Sequence, residues 1–235
     1  MATDPLPLQE EIISLLKGKS CVKAQIFNQT SEIFSHIKEI LSGLSNDLND
    51  MLEDENNRRI RLEYRDRGKF EAEIRFADDV LLFSMYTDVF KFDRKSAVWH
   101  NPYINRDPLN AYFGIINVYD FLYDSFKYDR QDDPGYLVAR MFVNREKYFF
   151  VEGKRQKRNK IGFFGKILLD EIEMRDFILS AMRYALSFDL LVPPYDSMKE
   201  ISVRQINAKI ESARVSIGKR IGFGFNSDDV LNVED

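Results

Sequence analysis

The residues that could carry out chemistry in this chain are few. It contains two histidines, His36 and His100, and a single cysteine, Cys21. Histidine is the usual general base near neutral pH, so His100, which follows Trp99 at the end of a predicted strand, is a candidate catalytic residue. A loop histidine that only makes a hydrogen bond is the alternative. These three side chains do not match the ligand sets of zinc sites, and we predict no metal and no cofactor.

A pair of carboxylates is the second candidate for catalysis. Asp133 precedes Pro134, and 19 residues later an apolar strand ends in Glu152, which one residue separates from Lys154. This pattern resembles the Asp…(Asp/Glu)-x-Lys signature of restriction-type nucleases over about 22 residues. The resemblance implies that the Asp and the Glu, on paired strands, hold a divalent ion while the Lys orients or polarises the attacking water.

The expected register of the strands argues against a shared ion. If the turn centres on Arg145, Glu152 lies opposite about residue 138, which is five residues beyond Asp133. At roughly 3.3 Å per residue the two carboxylates would be about 16 Å apart. A metal-dependent phosphodiesterase or nuclease is therefore an alternative, and the main prediction is that the chain is not an enzyme.

Five cations within seven residues follow the carboxylate pattern. They are Lys154, Arg155, Lys157, Arg158 and Lys160. One interpretation is a contact with phosphate or nucleic acid, and the other is a solvated hairpin tip that pairs with acidic loops. The net charge of −4 favours the second interpretation, because nucleic-acid-binding domains tend to be strongly basic.

The elements that must position these residues are helices, then strands, then helices. The first helix is expected to end near Gly18, a common helix stop. We predict helices over 8–17 and 29–54, an antiparallel meander over 58–164, and helices over 171–190 and 198–217. The fold class is therefore α+β, an antiparallel β-meander sheet packed by N-terminal and C-terminal helices. One domain over residues 1–225 is expected, followed by an acidic tail over 226–235.

Two parts of the meander differ in how clearly the sequence defines them. Residues 136–143 and 147–151 alternate around Asn144-Arg145-Glu146, which predicts a hairpin. Ala97–Trp99 is also expected to be a strand. Residues 112–128 fit either a strand or a helix, so the strand order stays open.

The helix predicted over 29–54 carries apolar residues at alternating spacings of three and four. They are Phe34, Ile37, Leu41, Leu44, Leu48 and Met51. Such a stripe either packs within the chain or forms the seam of a homodimer. A second stripe of the same spacing runs over 203–217.

The chain of 235 residues has no run of 18 apolar residues and no apolar leader near Met1. We therefore expect a cytoplasmic location and no membrane contact. Within those limits, the predicted function is that of a non-enzymatic protein-interaction or assembly component. It would bind a protein partner or form a homodimer through the long helix, and nucleic-acid binding through residues 154–160 is an alternative.

Overall fold

The structure of the chain is a computed structural model. It describes residues 5–52, 60–153, 164–187 and 203–204. These residues fall into two compact units, of which the first comprises the described residues up to Phe121 and those from Gly135 to Ser187. The second comprises Leu122–Pro134 together with residues 203–204.

Several sequence predictions concern residues outside the described part of the chain. The acidic tail over 226–235 lies there, as does the helix over 198–217 apart from residues 203–204. The single domain over residues 1–225 therefore stays a prediction.

One continuous helical rod begins the first unit. Helix α1 spans Pro5–Leu15, a wider π-helical turn spans Leu16–Ser20, and helix α2 spans Cys21–Met51. The predicted helix stop at Gly18 is wrong. A lone glycine costs a helix only about 1 kcal/mol, and the backbone N–H of Cys21 donates to the carbonyls of Gly18 and Leu16 as the rod continues.

Within the described residues, seven strands form an antiparallel sheet. They are β1 (Glu63–Asp66), β2 (Glu71–Phe76), β3 (Asp79–Met85), β4 (Phe90–Lys91), β5 (Tyr112–Leu122), β6 (Tyr136–Val143) and β7 (Phe149–Gly153). Their order in space is β1-β2-β3-β5-β6-β7, and β4 pairs with β5. Apart from the two-residue strand β4, strands that follow one another in the chain are neighbours in the sheet, so the predicted meander is confirmed.

The segment between β4 and β6 differs from the prediction in two places. Ala97–Trp99 is not a strand, because Ala97–His100 forms a 3-10 helix in which the Ser96 side chain accepts a hydrogen bond from the N–H of Val98. Helix α3 (Pro102–Arg106) follows it. Residues 112–128, for which strand and helix were both open, contain both: β5 ends at Leu122 and helix α4 covers Tyr123–Lys127.

Two helices cover one face of the sheet. Helix α5 (Glu171–Ala185) begins where the carboxylate of Asp170 accepts a hydrogen bond from the N–H of Glu173, and it lies beside α2. The main core forms between these helices and the strands; Leu41 of α2, Phe83 of β3 and Phe177 of α5 are among its members. The predicted α+β fold, with helices packed on an antiparallel sheet, is confirmed.

Part of the other face of the sheet is closed by aromatic rings. Phe113, Phe142 and Phe150, from three neighbouring strands, pack with Phe164 in a second core. The rings of Phe142 and Phe150 stack with their centroids 4.7 Å apart. Both faces of β5 are therefore buried where it crosses the centre of the sheet, which explains the continuous apolar character of its sequence.

Helix α2 approaches β5 most closely where Thr30 meets Gly114. Thr30 is fully buried, and its hydroxyl donates to the carbonyl of Ile26 at 2.7 Å. A Cβ atom at residue 114 would lie 2.0 Å from the Thr30 Oγ1 atom. The absence of a side chain at Gly114 therefore sets the distance between the helix and the sheet.

We expect Gly114→Ala to lower the free energy of unfolding by about 2–3 kcal/mol, because the added methyl group overpacks this contact. Urea unfolding measures the change. Gly43→Ala is the matched control, since a Cβ atom at residue 43 meets nothing within 4 Å. Gly43→Ala should raise the free energy of unfolding by up to about 1 kcal/mol, because alanine favours a helix more than glycine does. Equal effects of the two substitutions would contradict the close approach.

Candidate interaction surface

The apolar stripe predicted in the long helix lies mainly inside the first unit. Phe34, Ile37, Leu41 and Leu44 are each 1% exposed or less and belong to the main core. Leu48 is partly buried against that core, whereas Met51 is 78% exposed. The stripe over residues 34–48 thus packs within the chain, which is one of the two interpretations of its spacing. The other interpretation, the seam of a homodimer, is corrected, because these side chains already cover the sheet.

The same rod exposes a different set of apolar side chains at its beginning. Every residue from 7 to 17 is exposed. Five of them are large aliphatic residues with 48% to 62% of their surface exposed: Leu8, Ile12, Ile13, Leu15 and Leu16. Residues 8, 12, 15 and 16 share one side of a helix. We call the exposed segment over residues 7–20 the N-terminal helix extension.

The apolar side of the extension and the side that α2 buries are separated by the π-helical turn at Leu16–Ser20. Hydrogen bonds from residue i to i+5 make this turn one residue wider than an α-helical turn, so the two sides are not in line along the rod. Val22 and Ile26, at the start of α2, are buried and pack against Tyr112 at the start of β5. The helix therefore leaves the sheet near residue 21, and the apolar side of the extension is exposed to solvent.

The charges of the extension are divided between its two ends. Glu10 and Glu11 lie in its first half, and Lys17 and Lys19 lie in its second half. The side away from the apolar residues also includes Gln9 and Ser14.

The two carboxylates of the nuclease-like pattern both contact an arginine. Glu152 lies opposite Arg140, and its Oε2 atom is 2.5 Å from the guanidinium. The expected partner was residue 138, so the observed register differs by two residues. Asp133, in the second unit, accepts a hydrogen bond from Ser125 at 2.7 Å and pairs with Arg130 at 2.9 Å.

Of the remaining predicted site residues, the structure describes only His100. Lys154 lies outside the described residues, together with Arg155, Lys157, Arg158 and Lys160. His100 is exposed at the end of its 3-10 helix. Within residues 5–52, 60–153, 164–187 and 203–204, no group of three His, Cys, Asp or Glu side chains could hold a metal ion.

Sequence analysis missed one pair of carboxylates whose surroundings are unusual. Burial, together with the charge of Asp79, raises the pKa of Asp120 on β5 to about 7. Burial and the charge of Asp78 raise the pKa of Asp79, at the start of β3, to about 6. The signal that could have found them is an acidic residue inside a largely apolar strand, as at Asp120 in 112–122. Two half-buried carboxylates make no complete metal site.

None of the helices in the described part of the chain is long and apolar enough to cross a membrane. No family model matches the chain, and comparison with curated proteins and with solved structures also finds no match. The function must therefore be argued from the surface itself.

We expect Asp120→Asn to stabilise the protein at pH 8 but not at pH 4. The raised pKa means that folding favours the protonated carboxyl, so stability falls as the pH rises from about 4 through 7. The neutral amide removes this loss. After allowance for solvent screening we expect a gain of about 1 kcal/mol, or roughly 2–4 °C in Tm, at pH 8.

Thermal unfolding at pH 4, 6 and 8 measures this effect. Asp88→Asn is the matched control, because Asp88 is exposed. The control should shift the Tm equally at all three pH values. A gain for Asp120→Asn that does not change with pH would show that the carboxylate of Asp120 carries no cost in the folded state.

Proposed function

We propose that this protein is a protein-interaction component that binds its partner on the apolar side of the N-terminal helix extension. The observation that carries the proposal is the exposure of four large aliphatic side chains on one side of the helix: Leu8, Ile12, Leu15 and Leu16. From residue 22 onward the same rod buries its own apolar side. A partner helix laid along the extension would cover these four side chains in the same way.

The exposed apolar area of the extension is large enough to support the binding of a partner. At 48% to 62% exposure, the four side chains present on the order of 400 Å² of apolar surface, within the range of the largest apolar patches on monomers, which are often functional. At about 25 cal/mol per Å², burying it corresponds to roughly 10 kcal/mol. Association costs about 4–15 kcal/mol in lost freedom. With a similar contribution from the partner, the gain exceeds that cost.

The extension also avoids the usual cost of ordering a helix. A free helix of this length is marginal because its first turn must be nucleated. Here the helix propagates from α2, which the sheet and α5 already hold. A partner would therefore meet a preformed surface, which lowers the entropy lost on binding.

A protein partner fits the chemistry of this surface better than a lipid bilayer does. Helices that lie on membranes are typically rich in Lys and Arg on the polar side and use Trp or Phe as anchors. The extension carries Glu10 and Glu11, which anionic lipids repel, and it contains no aromatic residue. Binding to a membrane is therefore an alternative outcome of the experiment.

The compartment belongs to the same proposal. Cys21 is an exposed free thiol, and exposed thiols persist in reducing compartments such as the cytoplasm. The nuclease and nucleic-acid interpretations remain alternatives that rest on Lys154 and on the cations over 154–160. No contact in the described residues favours either of them.

We expect Ile12→Lys/Leu16→Lys to weaken partner binding at least tenfold while leaving the Tm unchanged, because both side chains are exposed in the isolated chain. Gln25→Lys/Ser35→Lys is the matched control: it adds the same two charges at exposed positions of the same rod. The full-length protein and both variants are used for capture from a lysate of the source cells. Each captured protein is then purified, and its Kd is measured.

Support requires a purified partner, which can be the same protein, whose affinity falls with the extension variant and not with the control. Partner binding that both variants retain would overturn the proposed surface. Binding to vesicles of phosphatidylcholine and phosphatidylserine that only the extension variant loses would replace the protein partner with a membrane.

A further inference from the structure

We infer that the partner on the N-terminal helix extension is a second copy of this chain, paired with it in an antiparallel arrangement about Leu15. The inference rests on the proposed function, because it names the occupant of the surface proposed there. The inference comes from the order of charged and apolar residues along the extension.

Glu11, Leu15 and Lys19 follow one another at four-residue spacing, so they lie along one edge of the apolar side. This row is self-complementary when its direction is reversed. In an antiparallel pair with Leu15 opposite Leu15, Glu11 of each copy lies opposite Lys19 of the other. A parallel pair would place Glu11 opposite Glu11 and Lys19 opposite Lys19, which is repulsive.

The apolar residues fit the same alignment. Leu8, Ile12, Leu15 and Leu16 share one side of the helix, and all four are exposed. In a pair centred on Leu15, this side of one copy lies against the same side of the other. The pair would thus cover the apolar side of both extensions.

The symmetry of this arrangement closes the assembly. A two-fold axis through Leu15 uses the same surface on both copies, so it yields a dimer and no open chain. Together, two apolar sides of about 400 Å² each lie below roughly 1,200 Å², where weak and transient complexes are found. We therefore expect a reversible dimer whose affinity depends on protein concentration and on salt.

Light scattering and sedimentation over a range of concentrations give the first test. A dimer of twice 27.6 kDa is expected at tens of micromolar. Ile12→Lys/Leu16→Lys should raise the dimer Kd by at least tenfold, and Gln25→Lys/Ser35→Lys should leave it unchanged. A chain that stays monomeric up to high micromolar concentration overturns the inference.

Charge reversal tests the alignment. Glu11→Lys alone places two lysines opposite each other at each end of the pair, and Lys19→Glu alone places two glutamates there, so each variant should dimerise about tenfold more weakly. An equimolar mixture of the two variants restores both opposite-charge pairs and should form a heterodimer close to wild-type affinity. Failure of the mixture to associate overturns the Glu11–Lys19 alignment.

Cross-linking tests the direction of the helices. In the Cys21→Ser background, a chain with Glu11→Cys and a chain with Lys19→Cys should form a disulfide with each other, and neither should form one with itself. Self-cross-linking of each variant would show a parallel pair and overturn the inference. These chains keep the whole extension, so the test uses the full-length protein.

The outcomes also separate this inference from the proposed function. A monomeric chain that binds another purified protein, and loses it with Ile12→Lys/Leu16→Lys, keeps the proposed function and overturns the second copy as partner. A monomeric chain whose Tm falls with that variant shows that the chain covers its own extension, which overturns both the proposed function and the second copy as partner. If the variant loses only binding to vesicles, and no protein partner is found, both are overturned as well.

Discussion

The packing of α2 against the sheet holds the other parts of the first unit in place. Its apolar side is buried from Val22 to Leu44, and Gly114 lets the helix approach β5 until the Thr30 side chain fills the space. The ion pair between Arg175 of α5 and Asp47 of α2 lies at the surface with a distance of 3.2 Å. Exposed pairs of this kind contribute at most about 1 kcal/mol. Apolar burial therefore dominates the attachment of the helix.

This attachment explains why the N-terminal helix extension is an ordered surface. The helix is nucleated and held where it meets the sheet, and its hydrogen-bond pattern passes the π-helical turn at Leu16–Ser20 into α1. Turns of this type are frequent at functional sites. An apolar side that would collapse in a free peptide is kept extended and accessible. Exposing this apolar side to water costs free energy, which a bound partner would recover.

Several charged side chains of the described residues form ion pairs that have structural roles. Glu152, the carboxylate on which the nuclease-like pattern depended, contacts Arg140 on the neighbouring strand. Glu73, which is buried, contacts both Arg65 and Arg67. The exception is the pair of Asp79 and Asp120: burial, together with the charge of Asp78 on the first and of Asp79 on the second, raises both pKa values toward neutrality. That pair makes the stability of the sheet sensitive to pH.

Local patterns predicted much of this fold because they reflect local physics. The hairpin of β6 and β7 follows from alternating strands around Asn144, whose side-chain oxygen accepts hydrogen bonds from the N–H groups of Glu146 and Tyr148. Its register was two residues off, because the turn that these bonds close is longer than one centred on Arg145. The 3-10 helix at Ala97–His100 was missed, since a short apolar run does not distinguish a strand from a single helical turn.

By itself the sequence determined the order of helices and strands, the α+β class and the presence of an apolar side along the N-terminal helix. Which part of that side is covered was decided only by the tertiary structure. Helical spacing shows only that one side of the helix is apolar. The spacing is the same whether that side packs against a sheet or faces solvent. Residues 34 and 41 are buried and residues 8 and 15 are exposed because the sheet ends between them. That boundary depends on contacts between residues far apart in the chain, and no local pattern records it.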